Sequence, residues 1–156
     1  MNGIKGITQI DLSKSALTDF KQQHAGCIVL TSDNRILVQR RPDNWRTFPG
    51  MITTFGGHLE SKESPIEAII RELHEELGAR VELLDLISLG AITEEITEHT
   101  ELIYLYFWHD KENTITGCYE CEPYYFDTVT DLLAHPKIMQ DVQWAVMECQ
   151  QRKLLK

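Results

Sequence analysis

The sequence has no apolar run that approaches a membrane span, no excess of basic residues, and no linker, repeat or low-complexity tract. A transmembrane helix needs about 20 consecutive apolar residues, and no stretch of the chain reaches that length. Lys and Arg number 15 against 24 Asp and Glu, for a net charge of −9. This balance argues against nucleic-acid polymers and anionic membranes as partners. The N-terminus lacks the pattern of a signal peptide, so we expect a cytoplasmic protein.

Cysteine is scarce, with four residues in a chain of 156. Cys118 and Cys121 form a C-x-x-C pair, a spacing used in zinc binding and in redox chemistry. A structural zinc site needs four ligands, and Cys27 and Cys149 do not form a second pair. The redox motif precedes a helix, whereas we predict a strand here. We therefore expect reduced structural thiols, in keeping with the cytosol.

A helix is predicted at about 65–77 from its start, its buried face and its end. Ser64-Pro65-Ile66-Glu67 supplies an N-cap serine, a proline at the first helical position and a glutamate that completes a capping box. Gly78 can adopt the positive φ that ends a helix. Apolar residues recur at three- and four-residue steps and form the expected buried stripe: Ile66, Ile69, Ile70, Leu73 and Leu77.

Three glutamates of this helix, Glu72, Glu75 and Glu76, have the i, i+3, i+4 spacing that places side chains on one face. Carboxylates this close repel one another and favour protonation. A hard divalent cation such as Mg²⁺, Ca²⁺ or Mn²⁺ relieves that repulsion. We interpret the glutamates as a metal site that lies off the apolar stripe. A solvated acidic face is the alternative.

The residues around these glutamates carry a family resemblance. The segment from Gly57 to Ala79 resembles the Nudix box of the Nudix hydrolases. The fixed residue types are all in place: Gly57, Glu63 and Arg71-Glu72-Leu73-His74-Glu75-Glu76-Leu77-Gly78. Two positions depart from the family pattern. Ala79 stands where a bulky aliphatic residue is usual, and Phe55 precedes the glycine pair where proline is common, which bears on the loop that carries the Gly56 carbonyl.

The resemblance implies an α/β Nudix fold, an α/β/α sandwich around a mixed β-sheet, in a single domain over residues 1–156. It also implies cleavage of a pyrophosphate bond in a nucleoside diphosphate linked to another group, with water activated by Mg²⁺ or, as the alternative ion, Mn²⁺. Arg71 would pair with Glu63 and hold the carboxylates in place. Glu72 could also serve as the base. The implied metal ligands are Glu72, Glu75, Glu76 and the backbone carbonyl of Gly56.

Positive charge that binds substrate phosphates is expected just ahead of the box. Arg40 and Arg41 follow a predicted strand and enter a turn-rich loop, and arginine binds phosphate through paired hydrogen bonds. We predict that one of them contacts phosphate, with surface ion pairs as the alternative, and that Gly57 also contributes to substrate binding. A later loop could add another acid, for which we prefer two of six candidates: Glu120 and Glu122 over Glu94, Glu95, Glu98 and Glu101.

The expected substrate is a nucleotide or nucleotide derivative. Family markers for ADP-ribose, dinucleoside polyphosphates and coenzyme A are absent, which favours a nucleoside triphosphate or a small nucleotide sugar. A non-catalytic nucleotide-binding module is the alternative from another class, although no box glutamate is missing. Isomerase or decapping chemistry on the same fold usually comes with extra segments. Dimers are common in the family, so by analogy a second copy of the chain is a candidate partner.

Apolar runs and turn signals predict the remaining elements. We expect a hairpin of strands at 26–30 and 36–40 and further strands at 51–55, 80–91, 102–108 and 124–126. Helices are expected at about 128–134 and 139–153. The inner face of the last helix is predicted to carry Val142, Ala145, Val146 and Cys149.

Overall fold

A computed structural model describes residues 3–15 and 17–156. The helices are α1 (Pro65–Leu77), α2 (Val129–Leu133) and α3 (Gln140–Gln151). The strands are β1 (Ile7–Ile10), β2 (Gln22–Leu30), β3 (Ile36–Arg40), β4 (Ile52–Thr53), β5 (Phe55–His58), β6 (Ile87–Glu94), β7 (Glu101–His109) and β8 (Glu122–Phe126).

The strands form one mixed sheet in the order β1-β6-β7-β2-β3-β4, with β5 paired to β2 and β8 paired to β3. β2 and β7 are parallel along their whole length, from Gln22 beside Glu101 to Leu30 beside His109. The other strand pairs are antiparallel. This arrangement places β2 at the centre, where it joins the hairpin strand β3, the glycine-containing strand β5 and the apolar strand β7.

Helices cover both faces of the sheet, each above its own buried cluster. Ile69, Leu73 and Leu77 of α1 pack with residues of β2, β5 and β7. Val142, Ala145, Val146 and Cys149 of α3 pack into the second cluster with α2, as the sequence predicted. The expected α/β/α sandwich around a mixed sheet is therefore confirmed. Within the described part of the chain, no helix is long and apolar enough to cross a membrane.

Helix α1 begins and ends where its local signals predicted. The Ser64 side chain accepts a hydrogen bond from the Glu67 N–H at 3.2 Å, and the Glu67 side chain accepts one from the Ser64 N–H at 3.1 Å. Gly78 ends the helix with φ 65°, and its N–H donates to the carbonyls of His74 and Leu73. Because these caps satisfy backbone groups from within the segment, the helix bounds need no tertiary contact to define them.

Several strand predictions need correction. The predicted strand at 51–55 is two strands, because the chain pairs first with β3 through β4 and then with β2 through β5. The glycine pair consequently lies inside β5. The predicted strand at 80–91 begins only at Ile87, after a 3₁₀ turn at Leu83–Asp85. β1 was not predicted, since its four residues carry no strong apolar alternation.

The Cys118–Cys121 segment is not a strand. It forms a loop whose backbone binds the C-terminal end of α1: the Thr116 N–H donates to the Leu77 carbonyl, and the Tyr119 N–H donates to the Glu76 carbonyl, both at 2.9 Å. The last carbonyls of a helix have no partner within the helix and accept hydrogen bonds from other segments. The N–H groups that bind α1 are therefore not available for strand pairing. Both cysteines are free thiols, and their role as structural thiols stays a prediction.

Candidate active site

Arg71, on α1, joins the acidic side chains of the box. Its Nε and Nη2 donate to the two carboxylate oxygens of Glu63 at 2.8 and 2.9 Å. Its Nη1 donates to Glu72 Oε1 at 2.9 Å and to Glu75 Oε2 at 3.4 Å. Nη2 also donates to the His58 carbonyl at 3.1 Å. The paired hydrogen bonds fix the orientation of the guanidinium, and they hold the pKa of Glu63 down at about 2.

Glu76 is buried, with 1% of its surface exposed, which corrects the prediction that it lies off the buried stripe. Its Oε1 accepts a 2.9 Å hydrogen bond from the Gly56 N–H. Burial raises the pKa of Glu76 to about 9; the Gly56 hydrogen bond opposes this shift, and the neighbouring Glu72 carboxyl adds to it. The helix therefore presents one carboxyl towards β5 in a site with little solvent.

The glycine pair allows β5 to pass between β2 and the carboxyls of α1. Gly56 has φ 141°, and a Cβ added there would lie 1.9 Å from the Ala25 carbonyl oxygen. A Cβ added at Gly57 would lie 2.6 Å from Glu72 Oε1. At position 56 a side chain is excluded by the positive φ and by the closeness of the Ala25 backbone. At position 57 a side chain would displace the Glu72 carboxylate.

These side chains fit a hard divalent cation. Their donor atoms are carboxylate oxygens, the ligands that Mg²⁺ and Mn²⁺ prefer. Glu72 and Glu76 are neighbouring carboxyls, and a cation would relieve the repulsion that arises when both are ionised. Among the described residues, no group of three or more His, Cys, Asp or Glu side chains is arranged to hold an ion as it stands. Arg71 engages Glu72 and Glu75 instead. Glu75 would have to turn from Arg71 to join the other two.

Comparison with known proteins agrees with this geometry. Residues 20–146 match a family model described as the NUDIX domain. The chain belongs to the Nudix family. The MutT protein of Methanosarcina mazei Go1 has a similar fold, with a TM-score of 0.68 at 19% sequence identity, over 88% of this chain and 99% of that one.

Curated Nudix relatives differ in the activities they are named for. Nucleoside triphosphatase NudI of Enterobacter sp. (strain 638) is 30% identical over 95 residues, which are 56% of this chain and 67% of NudI. An isopentenyl-diphosphate Delta-isomerase of Leifsonia xyli subsp. xyli is 48% identical over 61 residues, 38% of this chain. This match spans 33% of the isomerase's length.

The two arginines ahead of the Nudix box have different surroundings. Arg40 is held by Asp43 at 2.7 Å and Glu122 at 3.2 Å. The Arg41 guanidinium lies 4.8 Å from the centre of the Trp45 ring and donates to the Thr47 hydroxyl at 3.2 Å. Its buried Nε has no partner in the described part of the chain. Arg40 is thus engaged in ion pairs, whereas Arg41 has an N–H group that can still donate a hydrogen bond.

A cavity of about 220 Å³ adjoins the Nudix glycines. Gly56 and Gly57 line it, as does Arg41. The sequence did not indicate its polar wall residues, apart from Glu94 and Glu101, which were among the candidate later acids. Glu94 proves to be buried, with 4% of its surface exposed. The polar wall residues come from five strands and the first turn of α3, so no single motif marks them: His24, Gln39, Thr53, Glu94, Glu101 and Asp141.

The two later acids preferred from the sequence, Glu120 and Glu122, have different surroundings. Glu122 pairs with Arg40. Glu120 is exposed, yet after burial and the Glu72 carboxyl its charge is a further cause of the raised pKa of Glu76. Glu120 is therefore the one of the two whose charge acts on the box carboxylates.

Proposed function

We propose that this chain is a metal-dependent pyrophosphohydrolase that cleaves a pyrophosphate bond in a nucleoside diphosphate linked to another group. The proposal includes a single Nudix domain over residues 1–156 and a cytoplasmic location. The observation that carries it is the buried Glu76 carboxyl beside Glu72, on a helix whose other carboxylates are oriented by Arg71. Two ionised carboxylates this close lower the stability of the fold unless they share a cation or a proton.

Each box residue has a role in the proposal. Glu72, Glu75, Glu76 and the Gly56 carbonyl would hold Mg²⁺ or Mn²⁺. When bound, the ion would neutralise the charge of the pyrophosphate and activate water. Glu63 fixes the Arg71 guanidinium by two hydrogen bonds, and Arg71 in turn orients Glu72. Arg71 is thus a positioning residue, because it acts on the reaction through the carboxylates it holds.

Arg41 is our candidate for the substrate phosphate contact. Arg40 already has two carboxylate partners, whereas Arg41 has an unpaired Nε and lines the cavity beside Gly57. The chain has a net charge of −9, so few basic side chains can bind an anionic substrate. An arginine beside the box is therefore a strong candidate for that contact. The names of the relatives support phosphate chemistry, since one is a nucleoside triphosphatase and the other acts on isopentenyl diphosphate.

The proposal is tested by product analysis after incubation of the purified protein with a panel of nucleoside triphosphates and nucleotide sugars. We expect hydrolysis that requires Mg²⁺ and stops with EDTA. Glu76→Gln and Glu75→Gln should each lower kcat by at least about 100-fold, since each removes one charged ligand. Glu82→Gln, an exposed glutamate outside the box, is the matched control and should leave kcat unchanged.

Two outcomes would contradict the proposal. Turnover that is equal in the wild type, Glu75→Gln and Glu76→Gln would remove the box carboxylates from the chemistry. Nucleotide binding with no turnover of any substrate in the presence of Mg²⁺ would favour a non-catalytic nucleotide-binding module on the same fold.

A further inference from the structure

The C-x-x-C pair of Cys118 and Cys121 lies in a loop and not in the strand that the sequence predicted. This loop, residues 116–121, precedes β8 and contacts the C-terminal end of α1. The strand prediction was the reason for setting a redox role aside, and the structure removes that reason. A metal site is not the explanation, since within the described ranges 3–15 and 17–156 no three His, Cys, Asp or Glu side chains are arranged to hold an ion.

The two cysteines are close in space as well as in sequence. The chain bends at Glu120 and Cys121, and the Cys118 thiol donates to the Cys121 carbonyl oxygen at 2.9 Å. Backbone bond lengths then place the Cys118 sulfur within roughly 5.5 Å of the Cys121 Cα. Cysteines at this separation can form a disulfide once their sulfurs turn towards each other. The new bond must replace the present contact with the carbonyl, so the backbone between the cysteines must rotate.

An oxidant can reach this pair from solvent. Both thiols are partly exposed, and Cys118 lines a cavity of about 280 Å³ together with Gly117. The other two cysteines, Cys27 and Cys149, are fully buried in the hydrophobic clusters under the helices. Cys118 and Cys121 are therefore the thiols that can react while the chain stays folded.

The loop that carries the cysteines also holds the end of the box helix. The Tyr119 N–H, between the two cysteines, donates to the Glu76 carbonyl, and the Thr116 N–H donates to the Leu77 carbonyl, both at 2.9 Å. The hydroxyl groups of Tyr119 and Thr116 are 2.6 Å apart. The charge of Glu120 acts on the Glu76 carboxyl. A rotation of the backbone between the cysteines therefore reaches Glu76, a residue of the proposed metal site.

We propose that Cys118 and Cys121 form a reversible disulfide with a low-molecular-weight disulfide, such as oxidised glutathione, as the oxidant, and that this bond lowers hydrolysis by moving the loop away from the end of α1. The inference rests on the proposed function, because hydrolysis is the activity that the bond lowers. Disulfides in cytosolic proteins are usually transient and catalytic or redox-sensing, which fits a pair beside a reactive site.

The chemical step is a two-electron thiol–disulfide exchange. The Cys118 thiol releases its proton, and its thiolate attacks one sulfur of the oxidant, whose S–S bond breaks to expel the first thiolate. The Cys121 thiolate then attacks the Cys118 sulfur of the mixed disulfide and expels the second. Two protein thiols are oxidised, one disulfide is reduced to two thiols, and the two protons from the cysteines end on the two thiolates that leave.

The rate of this exchange should rise with pH, because the thiolate is the form that attacks. Burial raises the pKa of both cysteine thiols, that of Cys121 to about 11. The pair therefore differs from the reactive cysteines of oxidoreductases, whose pKa is lowered. It should be oxidised slowly at neutral pH, as a target of oxidants and not as a catalyst of exchange.

The first measurement locates the bond in the full chain. Trypsin cuts after Lys111 and Lys137 and leaves both cysteines in one peptide, 112–137, which contains neither of the buried cysteines. The protein is equilibrated at about pH 8 in buffers that range from reduced to oxidised glutathione, then treated with iodoacetamide and digested. In the oxidised buffers, mass spectrometry should find this peptide unlabelled and lighter by two hydrogens. Dithiothreitol should restore two labelled thiols.

The second measurement follows the effect of the bond on α1 and on turnover. By NMR, amide hydrogen exchange at Thr116 and Tyr119 should be at least about 10-fold faster in the oxidised protein, because both N–H groups lose the helix carbonyls. The Lys21 N–H, which donates to the Thr100 carbonyl at the opposite end of β7, is the internal control and should not change. With Mg²⁺, kcat should fall at least about 10-fold on oxidation and recover with dithiothreitol.

Two variants separate this pair from the other thiols. The double variant Cys118→Ser, Cys121→Ser should keep the wild-type kcat in the reduced and the oxidised buffers. Cys149→Ala removes a buried thiol and is the matched control, which should lose kcat on oxidation as the wild type does. Circular dichroism verifies that the variants are folded, and the two measurements on the wild type decide the inference if one is not.

Three outcomes would overturn the inference. One is a 112–137 peptide that stays fully labelled in every glutathione buffer, and another is a disulfide that leaves kcat and the two loop amides unchanged. The third is a loss of kcat on oxidation that persists in the double variant. Failure of the proposed function is a different result, namely no hydrolysis by the reduced protein, and the labelling and amide-exchange measurements need no substrate.

Discussion

The Gly56 N–H donates a 2.9 Å hydrogen bond to Glu76 Oε1, and this contact ties the buried carboxyl of α1 to the strand that lines the cavity. Gly56 and Glu76 are twenty positions apart in the chain. The hydrogen bond therefore exists only because β5 and α1 pack together. Through it, the proposed metal site and the cavity share one short piece of backbone.

Alanine at the two glycines should have different effects. At Gly57 the new Cβ meets the end of the Glu72 side chain, which can rotate, so we expect a folded protein whose kcat falls at least about 10-fold because a carboxylate is displaced. At Gly56 the new Cβ meets the Ala25 backbone at positive φ, and we expect the free energy of unfolding to fall by at least about 2 kcal/mol. Urea unfolding and steady-state kinetics measure the two effects. Gly3→Ala, with no atom within 4 Å of the added Cβ, is the control.

Arg71→Lys should lower kcat by about 10- to 100-fold with little change in KM, since lysine keeps the charge but cannot make the paired hydrogen bonds to Glu63. Steady-state kinetics on the best substrate of the panel provide the measurement. Arg80→Lys, an exposed arginine beyond the helix, serves as the control. A loss confined to KM would show that Arg71 binds substrate and does not position the carboxylates.

Ser64→Ala should lower the free energy of unfolding by about 1 kcal/mol, because it removes the side-chain acceptor for the Glu67 N–H. Urea unfolding measures the loss, and Ser61→Ala, at an exposed position ahead of the helix, should be neutral. Equal stability of both variants would mean that solvent satisfies the first turn of α1 as well as the capping box does.

Stability of the metal-free protein should fall as pH rises from about 5 to 8. The pKa of Glu94 is about 8 in the folded chain, against an ordinary value of 4.5, so the folded state binds more protons across this range and loses that advantage as the pH increases. The raised pKa of Glu76 acts in the same direction. Tm, measured by calorimetry in EDTA at several pH values, should depend less on pH in Glu94→Gln than in the wild type. Glu95→Gln should show the same dependence of Tm on pH as the wild type. The same dependence in Glu94→Gln would contradict the raised pKa of Glu94.

Sequence reasoning succeeded where the signals are local. The capping box at Ser64, the glycine stop at Gly78 and the hydrophobic stripe of α1 all depend on residues within one or two turns, so α1 was placed at the observed bounds. Strands were less certain, because pairing partners decide them. The break between β4 and β5 follows from a change of partner from β3 to β2, which no local pattern records.

The chain by itself determined the box helix, the acidic residues it carries and the family to which it belongs, since helical spacing fixes which side chains share a face. Tertiary structure alone decided which of those carboxyls is buried, because desolvation of Glu76 depends on β5 and the 116–121 loop packing around it. It also decided which polar side chains line the cavity: Gln39, Thr53, Glu94 and Asp141 come from distant segments, and only the closing of the sheet against α3 places them around one cavity.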